Sequence, residues 1–201
     1  MDPSIPVVSL IGKAGSGKTL CAIAAGLEQI LNAKATEQPE DQKKERSYKR
    51  LIVSRPVQPL GKDIGFLPGT MEEKMAPWLM PIQDNLQYLM GDNKATLEMY
   101  MEKGYIEIEA LTYIRGRSIS NAFIIIDEAQ NLTAHEIKTI LTRVGEGTKI
   151  VFTGDIEQID NAYVDSTTNG LTYAVEMLKE HDLTGHITLK RGERSDVATL
   201  A

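Results

Sequence analysis

The sequence predicts an α/β domain in which a mostly parallel sheet carries helices on both faces. Apolar runs too short for helices recur along the 201-residue chain, at residues 7–11, 51–54, 123–126 and 150–152. Each run is typical of a buried strand. The segments between them repeat apolar residues at helical spacing. Strands that alternate with helices indicate parallel pairing, because a parallel crossover needs a connection as long as a helix.

The first half of the chain predicts two strands and two helices. The strand at 7–11 lies between Pro6 and Gly12, and the helix after it carries its apolar face from Leu20 to Leu31. Residues 32–50 have no apolar periodicity, which predicts a solvated, mobile insertion within the domain. After the strand at 51–54, apolar residues from Met75 to Leu89 predict a helix whose start or bend is set by Pro77 and Pro81.

The second half continues the alternation. A short helix is expected at 95–103, and a strand with one wetter face follows because Ile106, Ile108 and Ala110 alternate with glutamates. Thr133 and Glu136 have the spacing of a capping box, which predicts a helix that ends at Gly145. A helix through Leu171, Val175 and Leu178 and a strand at 187–189 complete the chain.

Composition limits the class of protein. The length predicts a single domain over residues 1–201, and one cysteine, Cys21, rules out an intrachain disulfide. No apolar run approaches the ~20 residues that span a bilayer, so a cytoplasmic protein without a membrane partner is expected. The net charge of −6 argues against nucleic-acid binding driven by overall charge, so any such site has to be local.

Residues 12–19, GKAGSGKT, fit the phosphate-loop pattern G-x-x-x-x-G-K-[ST], directly after a strand and at the start of a helix. The glycines allow a tight turn whose N–H groups surround a phosphate. Lys18 would reach the β- and γ-phosphates, and the Thr19 hydroxyl would bind Mg²⁺. The alternative is a glycine-rich turn without a ligand. The predicted nucleotide-binding residues here are Gly12, Lys13, Ala14, Gly15, Ser16, Gly17, Lys18, Thr19 and Leu20.

Two carboxylates, Asp127 and Glu128, follow the buried strand at 123–126. Strand ends of this kind line the ligand crevice of an open α/β sheet. Asp127 is suited to hold Mg²⁺, and Glu128 is suited to orient the water that attacks the γ-phosphate. A solvated acidic turn is the alternative for the pair alone. Together with the phosphate loop, the pair predicts an NTP hydrolase.

A third polar element, Asp155 and Gln158, follows the strand at 150–152. Its side chains could contact the metal-bound water or the γ-phosphate and so sense whether that phosphate is present. A simple turn, with Gly154 supplying flexibility and Asp155 a cap, is the alternative.

Three basic segments are candidates for anion contacts. Arg55 follows the second strand, and residues 112–118 combine Arg115 and Arg117 with an aromatic ring and hydroxyls, which suits a nucleic-acid backbone. A loop bound to the many acids explains the second segment equally well. In residues 190–195, Arg191 or Arg194 could approach the γ-phosphate of its own site or a neighbour's, and spacing does not decide between them.

Together these segments resemble the PhoH-like ATPase domain. The resemblance covers nearly the whole chain apart from residues 32–50 and 88–104. The sequences DEAQ at 127–130 and GDIEQ at 154–158 are also similar to two motifs of superfamily 1 helicases. The matching segments are GKAGSGKT at 12–19, SRPVQPLGKDIGFLPG at 54–69, EKMAPWLMPIQDNL at 73–86, LTYIRGRSISNAFIIIDEAQNLT at 111–133, TRVGEGTKIVFTGDIEQID at 142–160 and LKRGERS at 189–195.

The resemblance implies a RecA-like P-loop NTPase fold that binds ATP, hydrolyses it with Mg²⁺ and acts on RNA, with single-stranded RNA as the expected partner. The roles it implies are Lys18 and Thr19 in the phosphate loop, Asp127 as metal ligand, Glu128 as base, Gln130, Asp155 and Gln158 as coupling residues, Arg55, Thr112 and Arg115 facing nucleic acid, and Arg194 at a finger-like position.

The chain departs from some family members, which join this domain to a PIN-type nuclease domain. The first strand begins about six residues from Met1, which leaves no room for such a domain before it. There is also no upstream glutamine of the kind that reads adenine in helicases. These departures predict either a piece of a longer protein or loose base recognition. Strand separation is expected to need an oligomer, because superfamily 1 motors use two such domains.

Other functions remain open at this stage. A small-molecule P-loop kinase shares the phosphate loop, although Glu128 would activate water that a kinase needs to exclude. A nucleotide-dependent binding switch with little turnover would not require the glutamate. A GTPase is disfavoured, because the nearest match to the guanine-reading motif N-K-x-D is NKAT at 93–96.

Overall fold

Six segments of the chain form the strands of one parallel sheet in the computed structural model, which describes residues 2, 4–35, 48–56, 71–114 and 117–192. The pairs follow the order β3-β2-β4-β5-β1-β6, and each is parallel. The predicted parallel sheet is therefore confirmed. The strands are β1 (Val7–Gly12), β2 (Arg50–Arg55), β3 (Ile106–Ala110), β4 (Ala122–Ile126), β5 (Lys149–Gly154) and β6 (Thr184–Leu189).

Helices cover both faces of this sheet. Alternate strand residues point to opposite sides, so Leu51 and Phe123 pack with the first three helices while Ile52 and Ile124 pack with the last three. The prediction of helices on both faces is confirmed. The helices are α1 (Lys18–Ala35), α2 (Met71–Leu89), α3 (Lys94–Glu102), α4 (Leu111–Ile114), α5 (Ala134–Leu141) and α6 (Gly170–Leu178).

Side-chain caps fix several helix starts. The predicted capping box at α5 is present: the Thr133 hydroxyl accepts from the Glu136 N–H at 3.2 Å, and the Glu136 carboxylate accepts from the Thr133 N–H at 2.9 Å. Asn93 and Asn169 cap α3 and α6 in a similar way. Each cap satisfies a backbone donor that the helix leaves without a partner.

The predicted insertion at residues 32–50 is narrower in the structure. Helix α1 continues to Ala35, and at the other end Tyr48 is 5% exposed. The ring of Tyr48 meets Phe123 edge-on, with 5.5 Å between centroids. Residues 48–50 therefore belong to the folded domain rather than to the insertion. Residues 36–47 lie outside the described part of the chain.

Other element boundaries also differ from those predicted. Pro77 and Pro81 lie inside α2, so neither sets its start at Met71. The segment predicted as a loop after β3 begins with the short helix α4. Helix α5 ends at Leu141 because the chain turns back and Val144 pairs with Ile119. None of the helices in the described ranges combines the length and apolarity that a membrane crossing needs.

A glycine allows α1 to lie close to the sheet, which predicts the effect of replacing it. A Cβ at Gly26 would lie 2.7 Å from Leu51 Cδ1 and 3.1 Å from Phe123 Cδ1, and both of those side chains are fully buried. We expect Gly26→Val to lower the free energy of unfolding by about 2 kcal/mol, because overpacking costs about 1–3 kcal/mol. Urea denaturation measures this loss.

The matched control is Cys21→Val on the exposed side of the same helix. That variant should stay within about 0.5 kcal/mol of the parent protein. Equal stability of the two variants would contradict the close approach of α1 to β2 and β4.

Candidate functional site

The predicted phosphate loop folds as a tight turn between β1 and α1. Gly15 and Gly17 have φ of 76° and 78°, in the left-handed region that favours glycine. The Ser16 N–H donates to the Lys13 carbonyl at 3.1 Å, which closes the turn. Lys18 is 7% exposed, and its Nζ lies 3.4 Å from the same carbonyl. The loop therefore presents the N-terminus of α1 and one buried cation to the same space.

Gly12 and Ser16 are two residues of this loop that lie close to each other. A Cβ at Gly12 would come within 2.5 Å of Ser16 Oγ and 3.0 Å of the Leu189 carbonyl, so the end of β1 has room only for glycine. Ser16 Oγ is buried and has no hydrogen-bond partner among the described residues. A buried hydroxyl without a partner is costly, and Ser16 is absent from the residues that line the cleft beside the loop.

Asp127 holds the loop to the sheet. Its carboxylate is buried, and Oδ1 accepts from the Thr19 hydroxyl at 2.7 Å and from the Thr153 hydroxyl at 2.6 Å. Its backbone N–H donates to the Ser54 carbonyl at 2.8 Å. One residue at the end of β4 thus joins α1 and β5 through its carboxylate and β2 through its backbone. The predicted pair of Thr19 and Asp127 is in contact.

Thr153 is a site residue that sequence reasoning missed. It lies on β5 in the register position beside the end of β4, because Ile126 pairs with Phe152. Its hydroxyl gives Asp127 a second donor inside a fully buried environment. The order of the two strands in the sheet was the signal needed to find it.

Glu128 has an unusual backbone conformation. Its φ of 54° places a non-glycine residue in the left-handed region, a conformation that costs free energy and clusters at functional sites. This turn directs the side chain over the ends of β2 and β4. Oε1 accepts from Arg55 Nη2 at 3.3 Å, and Oε2 accepts from Gln130 Nε2 at 2.7 Å.

Gln130 connects Glu128 to the loop after β5. It is 1% exposed and lies in a short 3-10 helix, Ala129–Asn131. Its Nε2 also donates to the Gln158 carbonyl at 2.8 Å, and its Oε1 accepts from the Asp155 N–H at 3.2 Å. The three residues that the resemblance marks for coupling therefore contact one another.

Asp155 and Gln158 differ in their placement. The Asp155 carboxylate accepts from the Glu157 N–H at 3.0 Å and so caps its own turn, the alternative left open by the sequence. Gln158 instead lines the central cleft. Of the two predicted sensors, Gln158 is the one that borders the space beside Lys18.

An open cleft of about 530 Å³ lies at the carboxyl ends of the strands. This volume is in the usual range for small-molecule sites. One wall consists of Ala14, Gly15, Gly17, Lys18, Thr19 and Leu20. Arg55, Asp127, Glu128 and Gln158 lie on another side, and α2 adds Pro81 and Asn85. The contribution of α2 had no sequence signal, because periodicity shows a helix but not where it packs.

The four predicted nucleic-acid residues differ in their surroundings. Arg55 lines the cleft and pairs with Glu128, and Thr112 is exposed on α4, just after β3. Arg115 lies outside the described residues. The guanidinium of Arg117 binds Glu107 at 2.9 Å and Glu109 at 2.5 Å, both on β3. The structure therefore favours the alternative interpretation for Arg117, a cation bound to acids rather than to nucleic acid.

The candidate arginine fingers are only partly described. Arg191 is exposed just after β6, and Arg194 lies outside the described residues. A Cβ at Gly192 would lie 3.6 Å from the Ala14 carbonyl. The chain after β6 therefore passes beside the phosphate loop, close to the position that a finger would need.

The site and the fold together define the class of protein. A parallel sheet with a phosphate loop after β1 and a loop-bound aspartate after β4 is the arrangement of a P-loop NTPase. The family described as PhoH-like protein matches residues 3–198. The chain belongs to the PhoH family.

Known relatives extend beyond this chain. It is 55% identical over 199 residues to Protein PhoH2 of Bacillus subtilis, covering 98% of this chain and 42% of that protein. It is 40% identical over 201 residues to Protein PhoH2 of Mycolicibacterium smegmatis, covering 100% and 43%. A PhoH-like protein of Bacillus subtilis is 40% identical over 172 residues, covering 86% and 49%. The chain spans less than half the length of these relatives.

Two solved structures also align. Unliganded Pif1 from Bacteroides sp. gives a TM-score of 0.43 at 16% identity, covering 96% of this chain and 39% of that one. A PRRSV helicase gives a TM-score of 0.42 at 13% identity, covering 94% and 31%.

The pairing of Arg117 predicts a stability loss that depends on pH. Burial raises the pKa of the Glu109 carboxyl above 4.5, and the adjacent Arg117 opposes that rise. Arg117→Gln should raise this pKa further, since two neighbouring carboxylates lose their shared cation. A carboxylate with a raised folded-state pKa is destabilising at high pH. We therefore expect a loss of about 1 kcal/mol in unfolding free energy near neutral pH.

The same loss should shrink towards about pH 4, where the Glu109 carboxyl, whose pKa is raised, takes up a proton. Urea unfolding at both pH values measures it. Equal losses at the two pH values would contradict the ion-pair account. Weaker RNA binding without any loss of stability would instead support the original nucleic-acid prediction for Arg117.

Proposed function

We propose that this domain binds ATP with Mg²⁺, hydrolyses it, and couples hydrolysis to single-stranded RNA. One observation carries the proposal: the phosphate loop and the carboxylates of Asp127 and Glu128 border the same cleft. The hydrogen bond between Thr19 and Asp127 supports it, because it joins the loop to the acidic strand end. A glycine-rich turn without a ligand would not require this arrangement.

The residues present fit a Mg²⁺ ion. Thr19 and Asp127 supply a hydroxyl and a carboxylate, the hard oxygen donors that Mg²⁺ prefers, within one hydrogen bond of each other. Mg²⁺ sites beside nucleotides commonly use one or two protein oxygens together with phosphate oxygens. When bound, the ion would neutralise charge on the β- and γ-phosphates.

The chain's own groups supply the remaining chemistry. Lys18 and the N–H groups at the start of α1 attract the phosphates. Glu128 orients the attacking water and accepts its proton, while Gln130 holds one oxygen of that carboxylate in place. Gln158 borders the cleft beside these groups and is suited to contact the γ-phosphate.

The coupling of ATP hydrolysis to RNA is the more specific part of the proposal. The resemblance to the PhoH-like domain supports it, as do Arg55, the last residue of β2, and Thr112, just after the neighbouring β3, which lie at the same edge of the sheet as the cleft. Gln130 joins the base to the loop after β5, so a contact at this edge has a short route to Glu128. We propose action in the cytoplasm as an oligomer or as part of a longer chain, with a nuclease domain as one candidate.

Two substitutions test hydrolysis. Lys18→Ala should remove both nucleotide binding and phosphate release, because the buried cation contacts the phosphates. Glu128→Gln should keep binding but lower release by at least about 100-fold, since a positioned base contributes about 10²–10⁴. Release of inorganic phosphate from ATP and Mg²⁺ is measured with and without single-stranded RNA. Lys94→Ala, an exposed position on α3, is the matched control.

A different experimental result would contradict each part of the proposal. Full turnover in Glu128→Gln would contradict its role as base. Transfer of γ-phosphate label to a metabolite rather than to water would favour a kinase. Tight nucleotide binding without release in the parent protein would favour a binding switch. A rate that RNA does not change would contradict the coupling alone.

A further inference from the structure

The two oxygens of the Glu128 carboxylate are held by different kinds of partner. Oε2 accepts from the buried amide of Gln130, which two further backbone contacts fix in place. Oε1 accepts a single bond from Arg55 at 3.3 Å, and these two side chains are 23% and 27% exposed. One contact is therefore fixed by packing, and the other is long, partly hydrated and easy to exchange.

The guanidinium of Arg55 is suited to bind a phosphate group in preference to the Glu128 carboxylate. Among the described residues its guanidinium contacts one group, the Glu128 carboxylate, through one nitrogen. A guanidinium has five N–H donors, and its planar fork matches phosphate oxygens in a two-bond contact. Two short charge-assisted bonds are stronger than one at 3.3 Å. Arg55 also lines the same cleft as Lys18, where phosphate groups are expected to arrive.

We propose that Arg55 is a positioning residue that holds Glu128 in a resting pair and exchanges it for an incoming phosphate group. The exchange frees Oε1 to accept a hydrogen bond from the attacking water, while Gln130 keeps Oε2 in place. This inference rests on the proposed function. The phosphate has two possible sources, the γ-phosphate of the nucleotide and the backbone of the nucleic acid.

A second arginine on the same strand provides a matched comparison. Arg50, at the start of β2, also makes a single ion pair with a glutamate, Glu107, at 2.7 Å and with similar exposure. It lies at the opposite end of the strand from the cleft. Arg50→Gln therefore removes an equivalent pair without touching the site, and it leaves basal activity unchanged.

The experiment compares Arg55→Gln, Arg55→Lys and Arg50→Gln with the parent protein. It measures kcat and KM for ATP with and without single-stranded RNA. It also measures the affinities for ADP and for the β,γ-imido analogue of ATP. If RNA supplies the phosphate, Arg55→Gln releases phosphate several-fold faster without RNA, and its stimulation by RNA falls below about twofold. Arg55→Lys keeps more of the stimulation, because a cation remains.

If the nucleotide supplies the phosphate, the ratio of the affinity for the imido analogue to the affinity for ADP changes instead. Arg55→Gln then lowers the affinity for the imido analogue by at least about tenfold, the loss expected for a charge-assisted contact. The affinity for ADP stays within about twofold. Stimulation by RNA persists in that case. Either pattern supports the exchange and identifies the source.

The proposal is overturned if Arg55→Gln matches Arg50→Gln in kcat, KM, RNA stimulation and the ratio of analogue to ADP affinity. A loss of kcat that leaves the stimulation and the ratio unchanged also overturns it. Should the parent protein release no phosphate, the proposed function fails, and the affinity ratio still tests the exchange. Thermal unfolding checks each fold, and Arg55→Lys carries the test if Arg55→Gln is unstable.

Discussion

The buried carboxylate of Asp127 is the interaction on which the rest of the site depends. Burying a charged group is costly unless hydrogen bonds compensate. Here the hydroxyls of Thr19 and Thr153 both donate to the same oxygen, and the backbone N–H of Asp127 bonds to β2. The side-chain bonds hold the phosphate loop and the end of β5 to the end of β4, and the backbone bond adds the end of β2. A cleft between loop and acids follows from that constraint.

A second layer of polar contacts connects Glu128, the proposed base, to the rest of the domain. Gln130 bonds to Glu128, and its neighbour Asn131 accepts from the backbone of Asp160 at 2.7 Å and of Asn161 at 3.2 Å. Asn161 in turn donates to the Asn131 carbonyl at 2.9 Å. The turn after β4 and the loop after β5 are thus joined by several bonds, so a displacement of one moves the other. This arrangement suits the proposed role of Glu128, whose position then depends on both segments.

Local patterns in the sequence predicted the parts of the site that depend on neighbouring residues. The phosphate loop, the carboxylates after β4 and the capping box of α5 each occupy a few consecutive positions. Contacts that depend on strand order were not predictable in this way: Thr153 reaches Asp127 only because β5 lies beside β4. The pairing of Arg117 with acids was one of two alternatives that the sequence left open, and the contacts with Glu107 and Glu109 favour it. Tyr48 was missed because one buried ring gives no periodicity within a polar segment.

The central proposal is that Asp127 would hold Mg²⁺ beside the phosphate loop, and nucleotide binding with and without the ion tests it most directly. The affinity for the imido analogue of ATP is measured by calorimetry for the parent protein and for Asp127→Asn, after thermal unfolding has checked both folds. We expect Mg²⁺ to tighten binding by at least about tenfold in the parent protein, and to have no effect in Asp127→Asn. An equal gain from Mg²⁺ in both proteins would contradict the account.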